Sequence, residues 1–271
     1  MSRAVALARN IISRMAAAGS LLVAFSGGVD SAVVAKLAFD ALGTKALAVT
    51  VDSRTLPRAD LKDAKRLAQL IGIRHMVVEH DELAIPDFRA NPPDRCYLCR
   101  KSLAEVLRKI ADKECIARLA DGATASDLGE HRPGIRAASE AGFWHPLMDA
   151  RALKSDVRAM AKSLGLPVYN RPSSACLSSR IPYGEEITPE KLERIELAEA
   201  FLKSLGFTQV RVRAHECIAR IEVNPDAIPL LMNGRLHTKV VEKLKSLGFA
   251  YVTVDLQGYR SGSLDEVLKQ A

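Results

Sequence analysis

Short apolar runs alternate with longer amphipathic stretches through the first half of the chain. Residues 21–25 form one continuous apolar run, as in a parallel strand buried on both faces. Residues 46–51 read as a second strand ending at Asp52 and Ser53, residues 75–79 as a short third, and residues 115–121 as a fourth. Helical patterns separate them. One begins at Ala32, another covers residues 58–71 through Leu61, Ala64, Leu67, Ala68 and Ile71, and a third covers residues 99–109. Strands spaced by helices predict an α/β fold with a doubly wound parallel sheet. Ligands on such sheets lie beyond the carboxyl ends of the strands. Residues 26–31, 52–53 and 121–122 all fall there.

The second half changes character. Residues 154–164 read as a helix closed by Gly165, with Pro167 beyond it. Residues 169–184 then run without periodicity and are rich in Pro, Ser and Arg. Loops of that length are functional or disordered, and Cys176, Arg180 and Tyr183 favour function. Thr188-Pro189-Glu190 is a helix start, with an N-cap, proline at N1 and an acid in the first turn. That helix reaches Leu205 and is capped by Gly206. Residues 210–213 and 219–223 alternate as strands, residues 225–232 and 236–247 suggest helices, and residues 251–256 a last strand. The pattern predicts a smaller C-terminal α+β domain with a βαβ-like part. We place the boundary near residue 180, giving domains 1–180 and 181–271.

The 271 residues allow one α/β domain and a smaller companion. At 48% hydrophobic and 26% charged the composition is that of a globular protein. No apolar run is long enough to span a bilayer. Residues 1–18 carry Arg3, Arg9 and Arg14 among apolar positions and lead straight into the first strand. They read as an amphipathic helix rather than a targeting peptide, so a cytoplasmic protein is expected. The net charge of +7 suits a nucleic-acid binder, but equally an enzyme of nucleotides and carboxylates. Aromatics are only 5% and no Lys/Arg block interleaves with them, so charge does not choose. Five cysteines in such a chain argue against a disulfide framework. Cys115 and Cys217, set among apolar residues, read as inert core thiols.

The chemistry starts at Ser26-Gly27-Gly28-Val29-Asp30-Ser31. A strand, a glycine turn and a helix N-terminus together make an anion site, because backbone N–H groups can approach a phosphate there. Ser26 and Ser31 add hydroxyl donors. Asp30 would repel phosphate unless a cation lies between them, which implies Mg²⁺. Neither GxxxxGK[ST] nor GxGxxG is present. The string resembles the PP-loop of the ATP pyrophosphatase superfamily, whose members cleave ATP between the α- and β-phosphates and pass AMP to an acceptor oxygen. An ordinary glycine turn is the plainer reading, but strand, loop and helix follow in the required order.

Two further segments narrow the resemblance. Asn91-Pro92-Pro93-Asp94-Arg95-Cys96-Tyr97-Leu98-Cys99 is one. Arg171-Pro172-Ser173-Ser174-Ala175-Cys176-Leu177-Ser178-Ser179-Arg180-Ile181-Pro182-Tyr183-Gly184 is the other. With the glycine loop they resemble the LarE-type sulfur transferases, which make the thiocarboxylate mononucleotide of the nickel-pincer cofactor. The similarity continues to Asp255-Leu256-Gln257-Gly258-Tyr259-Arg260-Ser261-Gly262-Ser263. It implies a two-step reaction. ATP adenylates a carboxylate of pyridinium-3,5-biscarboxylic acid mononucleotide, and sulfur then displaces AMP. A carboxylate is a poor electrophile, and charge developing at the α-phosphate is what Mg²⁺, backbone N–H groups and arginines stabilise.

The resemblance also implies roles. Ser26, Gly27, Gly28, Asp30 and Ser31 would hold the pyrophosphate end and Mg²⁺, and Ser53 would line the adenine pocket. Asp127, Arg132 and Gly134 fall in the loop after the fourth strand, which departs from the family's GTNxDD at two polar positions. Arg180, Arg211 and Arg213 would grip the substrate's phosphate and second carboxylate. For the two strand arginines a solvated face is the competing reading. Glu222 would share Arg220's face only with a slip in register.

Cys176 would supply or relay the sulfur. In one branch of the family the matching cysteine gives up its own sulfur and becomes dehydroalanine. Such a cysteine must be a thiolate, which the charge of Arg180 and Arg171 would favour. Another branch holds a [4Fe-4S] cluster on three cysteines, with one iron open to carry sulfide. Cys96, Cys99 and Cys176 match that set. A zinc knuckle or two incidental thiols is the plainer reading of the pair. A tRNA thiolation enzyme is the alternative function, an ammonia-using PP-loop synthetase a second, and a non-catalytic nucleotide-binding module a third. The expected partners are the mononucleotide substrate and further copies of the chain, with no membrane and no nucleic acid.

Overall fold

The computed structural model describes residues 3–129, 133–172, 174–260, 262–264, 266 and 268. Arg132, Ser173 and Ser261 lie outside the described residues. The chain divides into two compact units, one of Met1–Glu82 with Asp94–Ser174, the other of Leu83–Pro93 with Ala175–Ala271. The second unit thus takes a short segment, Leu83–Pro93, from within the region read as the first domain.

In chain order the elements begin with α1 (Arg3–Ala16), β1 (Leu21–Ala24), α2 (Val29–Leu42), β2 (Ala46–Asp52), α3 (Arg58–Ile71) and β3 (Arg74–Glu79). The short α4 (Pro86–Arg89) belongs to the second unit. The first unit resumes with α5 (Arg95–Lys113), β4 (Arg118–Ala120), α6 (Pro133–Glu140), α7 (Pro146–Asp149) and α8 (Lys154–Ser163). The second unit continues with α9 (Pro189–Ser204), β5 (Val210–His215), β6 (Ile218–Val223), α10 (Ile228–Leu231), α11 (Gly234–Ser246) and β7 (Tyr251–Val254).

The first unit carries a parallel sheet in the order β3-β2-β1-β4. Its strands read as apolar runs because both faces are covered. Leu21 and Val23 of β1, with Ala46 and Ala48 of β2, face the cluster built from α1, α2, α3 and α8. Leu22, Leu47 and Val49 face the opposite cluster, with Ala104 and Leu107 of α5 and Ala138 of α6. Strand order reverses at β1, since β2 and β3 lie to one side and β4 to the other. That switch point is where a crevice opens at the carboxyl ends of doubly wound strands.

The second unit carries a three-stranded sheet in the order β5-β6-β7. β5 and β6 pair antiparallel, while β6 and β7 pair parallel, as a crossover through α10 and α11 requires. α9 starts as its sequence announced, with Thr188 Oγ1 accepting the Lys191 N–H at 3.3 Å. The extra segment is held by Asn91, fully buried with φ of 58°. Its Nδ2 donates to Pro182 O at 2.7 Å and Glu185 O at 3.0 Å, and Gly184 N–H returns to Asn91 O at 2.9 Å.

Three expectations need correction. Cys115 and Cys217 are exposed, not core thiols, because each sits at a tight reversal. Cys115 has φ of 54° just after α5, and Cys217 follows Glu216, φ 48°, in the β5–β6 hairpin. Arg211 and Arg213 are buried at 7% and 5% exposure, so theirs is not a solvated face. Glu222 shares Arg220's face without any slip, since the two are two residues apart on β6 and Arg220 Nη2 reaches Glu222 Oε1 at 3.3 Å.

Candidate functional site

The glycine loop leaves β1 at the switch point and turns into α2. Gly27 has φ of +74°, and a Cβ there would lie 2.9 Å from Ala64 Cα of α3. Gly122, just past β4, is equally constrained, because its Cβ would meet Ser31 N at 2.7 Å. Backbone therefore packs on backbone around the loop, which only glycine allows. The two hydroxyls shape the turn. Ser31 Oγ donates to Gly28 O at 3.1 Å and accepts the Ser26 N–H at 3.3 Å. The Gly28 N–H donates to Ser26 Oγ at 3.3 Å.

Asp30 lies in the first turn of α2 and is paired with Lys154, the first residue of α8. Its Oδ2 takes the lysine, while Oδ1 is buried with no hydrogen-bond partner among the described residues. A carboxylate oxygen left bare beside a phosphate-type loop suits a divalent cation, so the residues present fit Mg²⁺. Lys154 was not singled out in the sequence, where only its place at a helix start is visible.

Around the crevice the supporting shell is polar and paired. Asp121, at the end of β4, takes His145 Nδ1 at 2.7 Å and the Ala123 N–H at 3.0 Å, with Arg100 Nη2 at 3.6 Å. Burial would raise its pKa, but the His145 hydrogen bond and the Arg100 charge outweigh that and hold it below the ordinary carboxylate value. Asp127 Oδ2 accepts from Thr124 N and Oγ1 at 2.8 and 2.9 Å, so it braces its own loop. Ser53 Oγ lies 3.2 Å from Thr55 Oγ1, and Arg58 grips Asp52 at the same strand end. Arg171 pairs with Asp60 at 2.7 Å and Asp63 at 2.9 Å of α3.

Cys96 and Cys99 stand at the start of α5, which begins four residues earlier than the pattern suggested. Three residues apart on a helix they share a face. Tyr97 between them donates to Glu140 of α6 at 2.5 Å and carries Arg136 over its ring at 4.7 Å. Gly134 completes the contact, since a Cβ there would lie 3.3 Å from Cys96 O.

The remaining candidates lie in the second unit. Cys176 is exposed, with its Sγ 2.9 Å from Ser178 Oγ. Arg180 is 1% exposed and forms a bidentate pair with Glu199 of α9, Nε to Oε1 at 2.8 Å and Nη2 to Oε2 at 3.0 Å. Burial opposes its charge, but Glu199 outweighs burial and the Arg180 pKa lies above the ordinary value. Glu199 is held correspondingly low: burial would raise it, but Arg180 prevails. Glu199 was missed in the sequence, although it falls on the buried face of α9 with Leu192, Ile195 and Leu202. An acid on an apolar stripe signals a buried partner.

Arg213 pairs with the fully buried Glu222 at 2.7 Å and with Ser263 Oγ at 3.0 Å. Arg211 donates to Val210 O at 2.8 Å and lies over Tyr259 at 5.2 Å. Burial, and then the neighbouring Arg180 charge, hold its pKa below the ordinary arginine value. Among the described residues the buried arginines Arg180, Arg211 and Arg213 of the second unit lie with two buried acids, Glu199 and Glu222.

The NAD synthase family model matches residues 1–87, the part that contains the glycine loop. An uncharacterized protein of Synechocystis is 45% identical over 91% of this chain and 92% of its own. An uncharacterized protein of Methanocaldococcus jannaschii is 30% identical over 89% and 91%. The pyridinium-3,5-bisthiocarboxylic acid mononucleotide synthase of Lactiplantibacillus plantarum is 40% identical over 92% of this chain and 90% of its own. With that identity along nearly the whole length of both chains, and with the PP-loop in place, the chain belongs to the LarE family of ATP-using PP-loop sulfurtransferases.

Proposed function

We propose that the protein adenylates the carboxylates of pyridinium-3,5-biscarboxylic acid mononucleotide and converts them to thiocarboxylates for nickel-pincer cofactor biosynthesis. The observation that carries this reading is the pairing, in one chain, of a glycine-built phosphate loop with an exposed cysteine backed by buried arginines. The name of the Lactiplantibacillus relative supports the substrate.

In the first step a substrate carboxylate oxygen attacks the α-phosphorus of ATP, and pyrophosphate leaves. The backbone N–H groups of residues 26–28 and the hydroxyls of Ser26 and Ser31 would bind the departing phosphates. Asp30 would hold Mg²⁺, which supplies charge neutralisation at the phosphates. Ser53 and Asp127 would line the nucleotide pocket. Arg211 is the arginine best suited to the substrate's phosphate or second carboxylate, because its buried charge gains from an added anion.

In the second step sulfur attacks the acyl carbon, the C–S bond forms, and AMP leaves with the electron pair of the C–O bond. Where the sulfur is that of Cys176, cleavage of its Cβ–S bond with loss of the Cα proton leaves dehydroalanine and the thiocarboxylate. Cys96, Cys99 and Cys176 are the donor set that a [4Fe-4S] cluster with one open iron uses. That proposal rests on donor chemistry alone: among the described residues no three His, Cys, Asp or Glu side chains are gathered as a metal site.

The test is to incubate the protein with MgATP, sulfide and the dicarboxylate mononucleotide, and to follow AMP, pyrophosphate and thiocarboxylate. All three should appear, and only with that substrate. Thiolation of tRNA, with no turnover of the mononucleotide, would replace this reading. Iron and acid-labile sulfide in protein purified without oxygen then separate the two sulfur routes. About four of each per chain would indicate the cluster. Neither, together with a chain lighter by one H₂S after turnover, would indicate Cys176 itself.

A further inference from the structure

Arg180 and Arg213 do something more specific than add positive charge. Arg180 Nη1 donates to Ala175 O at 2.8 Å, Cys176 O at 2.9 Å and Ser179 Oγ at 2.9 Å. Its other two nitrogens are taken by Glu199. Arg213 Nη1 donates to Ser179 O at 2.6 Å, while Nε and Nη2 are taken by Glu222. Both guanidinium groups therefore reach from a buried carboxylate to the backbone on either side of Cys176. A planar, five-donor fork can span both at once, and a lysine cannot.

We propose that Arg180 and Arg213, anchored by Glu199 and Glu222, are positioning residues that clamp residues 175–179 and so fix where the Cys176 sulfur points, rather than ligands of the substrate. The inference rests on the reading of Cys176 as the sulfur-delivering residue. Three features favour it. Every nitrogen of Arg180 is spent on the protein, and at 1% exposure it offers no face to a ligand. The carbonyls it holds belong to Cys176 and the residue before it. The segment's own structure is the short 3₁₀ turn Leu177–Arg180, with Ser179 Oγ donating to Cys176 O at 2.8 Å, so the arginine bonds tie that turn to buried carboxylates. An exposed nucleophile on such a segment gains most from a fixed backbone, because misplacement by an ångström costs a large factor in rate.

The test compares Arg180→Lys, Arg213→Lys and Arg180→Met/Glu199→Met in the full chain. The double variant replaces a buried ion pair by an apolar one, a change that buried pairs tolerate. Three quantities are followed: ATP–pyrophosphate exchange, the single-turnover rate of sulfur transfer at saturating substrate, and the substrate concentration for half-maximal rate. Amide exchange over residues 175–181 is recorded without ligands. The clamp predicts faster exchange in that segment and a sulfur-transfer rate lower by roughly a hundredfold, as for an ångström-scale misplacement. Half-saturation and ATP–pyrophosphate exchange should stay near wild type. A raised half-saturating concentration at unchanged maximal rate, with protected amides, would make the arginines substrate ligands and overturn the proposal. The amide measurement needs no sulfur chemistry, so it still judges the clamp if the wild type transfers no sulfur. If the double variant does not fold, the two lysine variants decide alone.

Discussion

Glu199 and Arg180 form a buried ion pair in the second unit, at 3% and 1% exposure. Removing one partner of such a pair strands the other charge and costs about 3–5 kcal/mol. Glu199→Ala should therefore lower the stability of the protein by that amount, measured by urea unfolding at neutral pH. The pH dependence follows from the same pair. The folded-state pKa of Glu199 lies below its unfolded value, so its contribution is complete above the unfolded value of about 4.3. It is lost as pH falls through the lower folded value. Asp121 acts in the same direction in the first unit. Acid should thus destabilise wild type steeply below about pH 4, and Glu199→Gln should flatten that dependence. At Gly27 the prediction is about catalysis as well as stability. Alanine there meets both a positive φ and Ala64 at 2.9 Å. Gly27→Ala should cost about 1–2 kcal/mol for the backbone alone and abolish ATP–pyrophosphate exchange.

Among the elements, the strands of the first unit were legible because burial on both faces writes them as apolar runs. Leu107 of α5 shows how one helix secures that sheet. It is fully buried against Leu22 and Leu47, and Leu107→Ala should cost about 2–5 kcal/mol in thermal or urea unfolding. The start of α9 was legible for a local reason, since Thr188, Pro189 and Glu190 are a cap, a rigid first residue and an acid. The start of α5 was not. Its first turn, Arg95-Cys96-Tyr97-Leu98, has no apolar periodicity, and Tyr97 is spent on a hydrogen bond to Glu140 rather than on core packing. The membership of Leu83–Pro93 in the second unit was also hidden. It depends on Asn91 bonding to Pro182, 91 positions away, which no local pattern records. The strand arginines were visible as candidates, but their burial was not, because the acid that pairs with Arg213 lies on β6 and the acid whose charge favours Arg211 lies on α9.

On the scale of the whole molecule, one unit presents a phosphate loop built on backbone contacts, and the other an exposed cysteine backed by paired arginines. Among the described residues no helix is long and apolar enough to cross a membrane. The division of labour predicts that adenylation and sulfur delivery can be separated by mutation. The most direct measurement is Cys176→Ala, assayed for ATP–pyrophosphate exchange and for thiocarboxylate formation in the same preparation. The account predicts that thiocarboxylate formation disappears while exchange persists near the wild-type rate. Undiminished thiocarboxylate formation would contradict Cys176 as the sulfur-delivering residue, and loss of exchange as well would make the cysteine loop part of the ATP site.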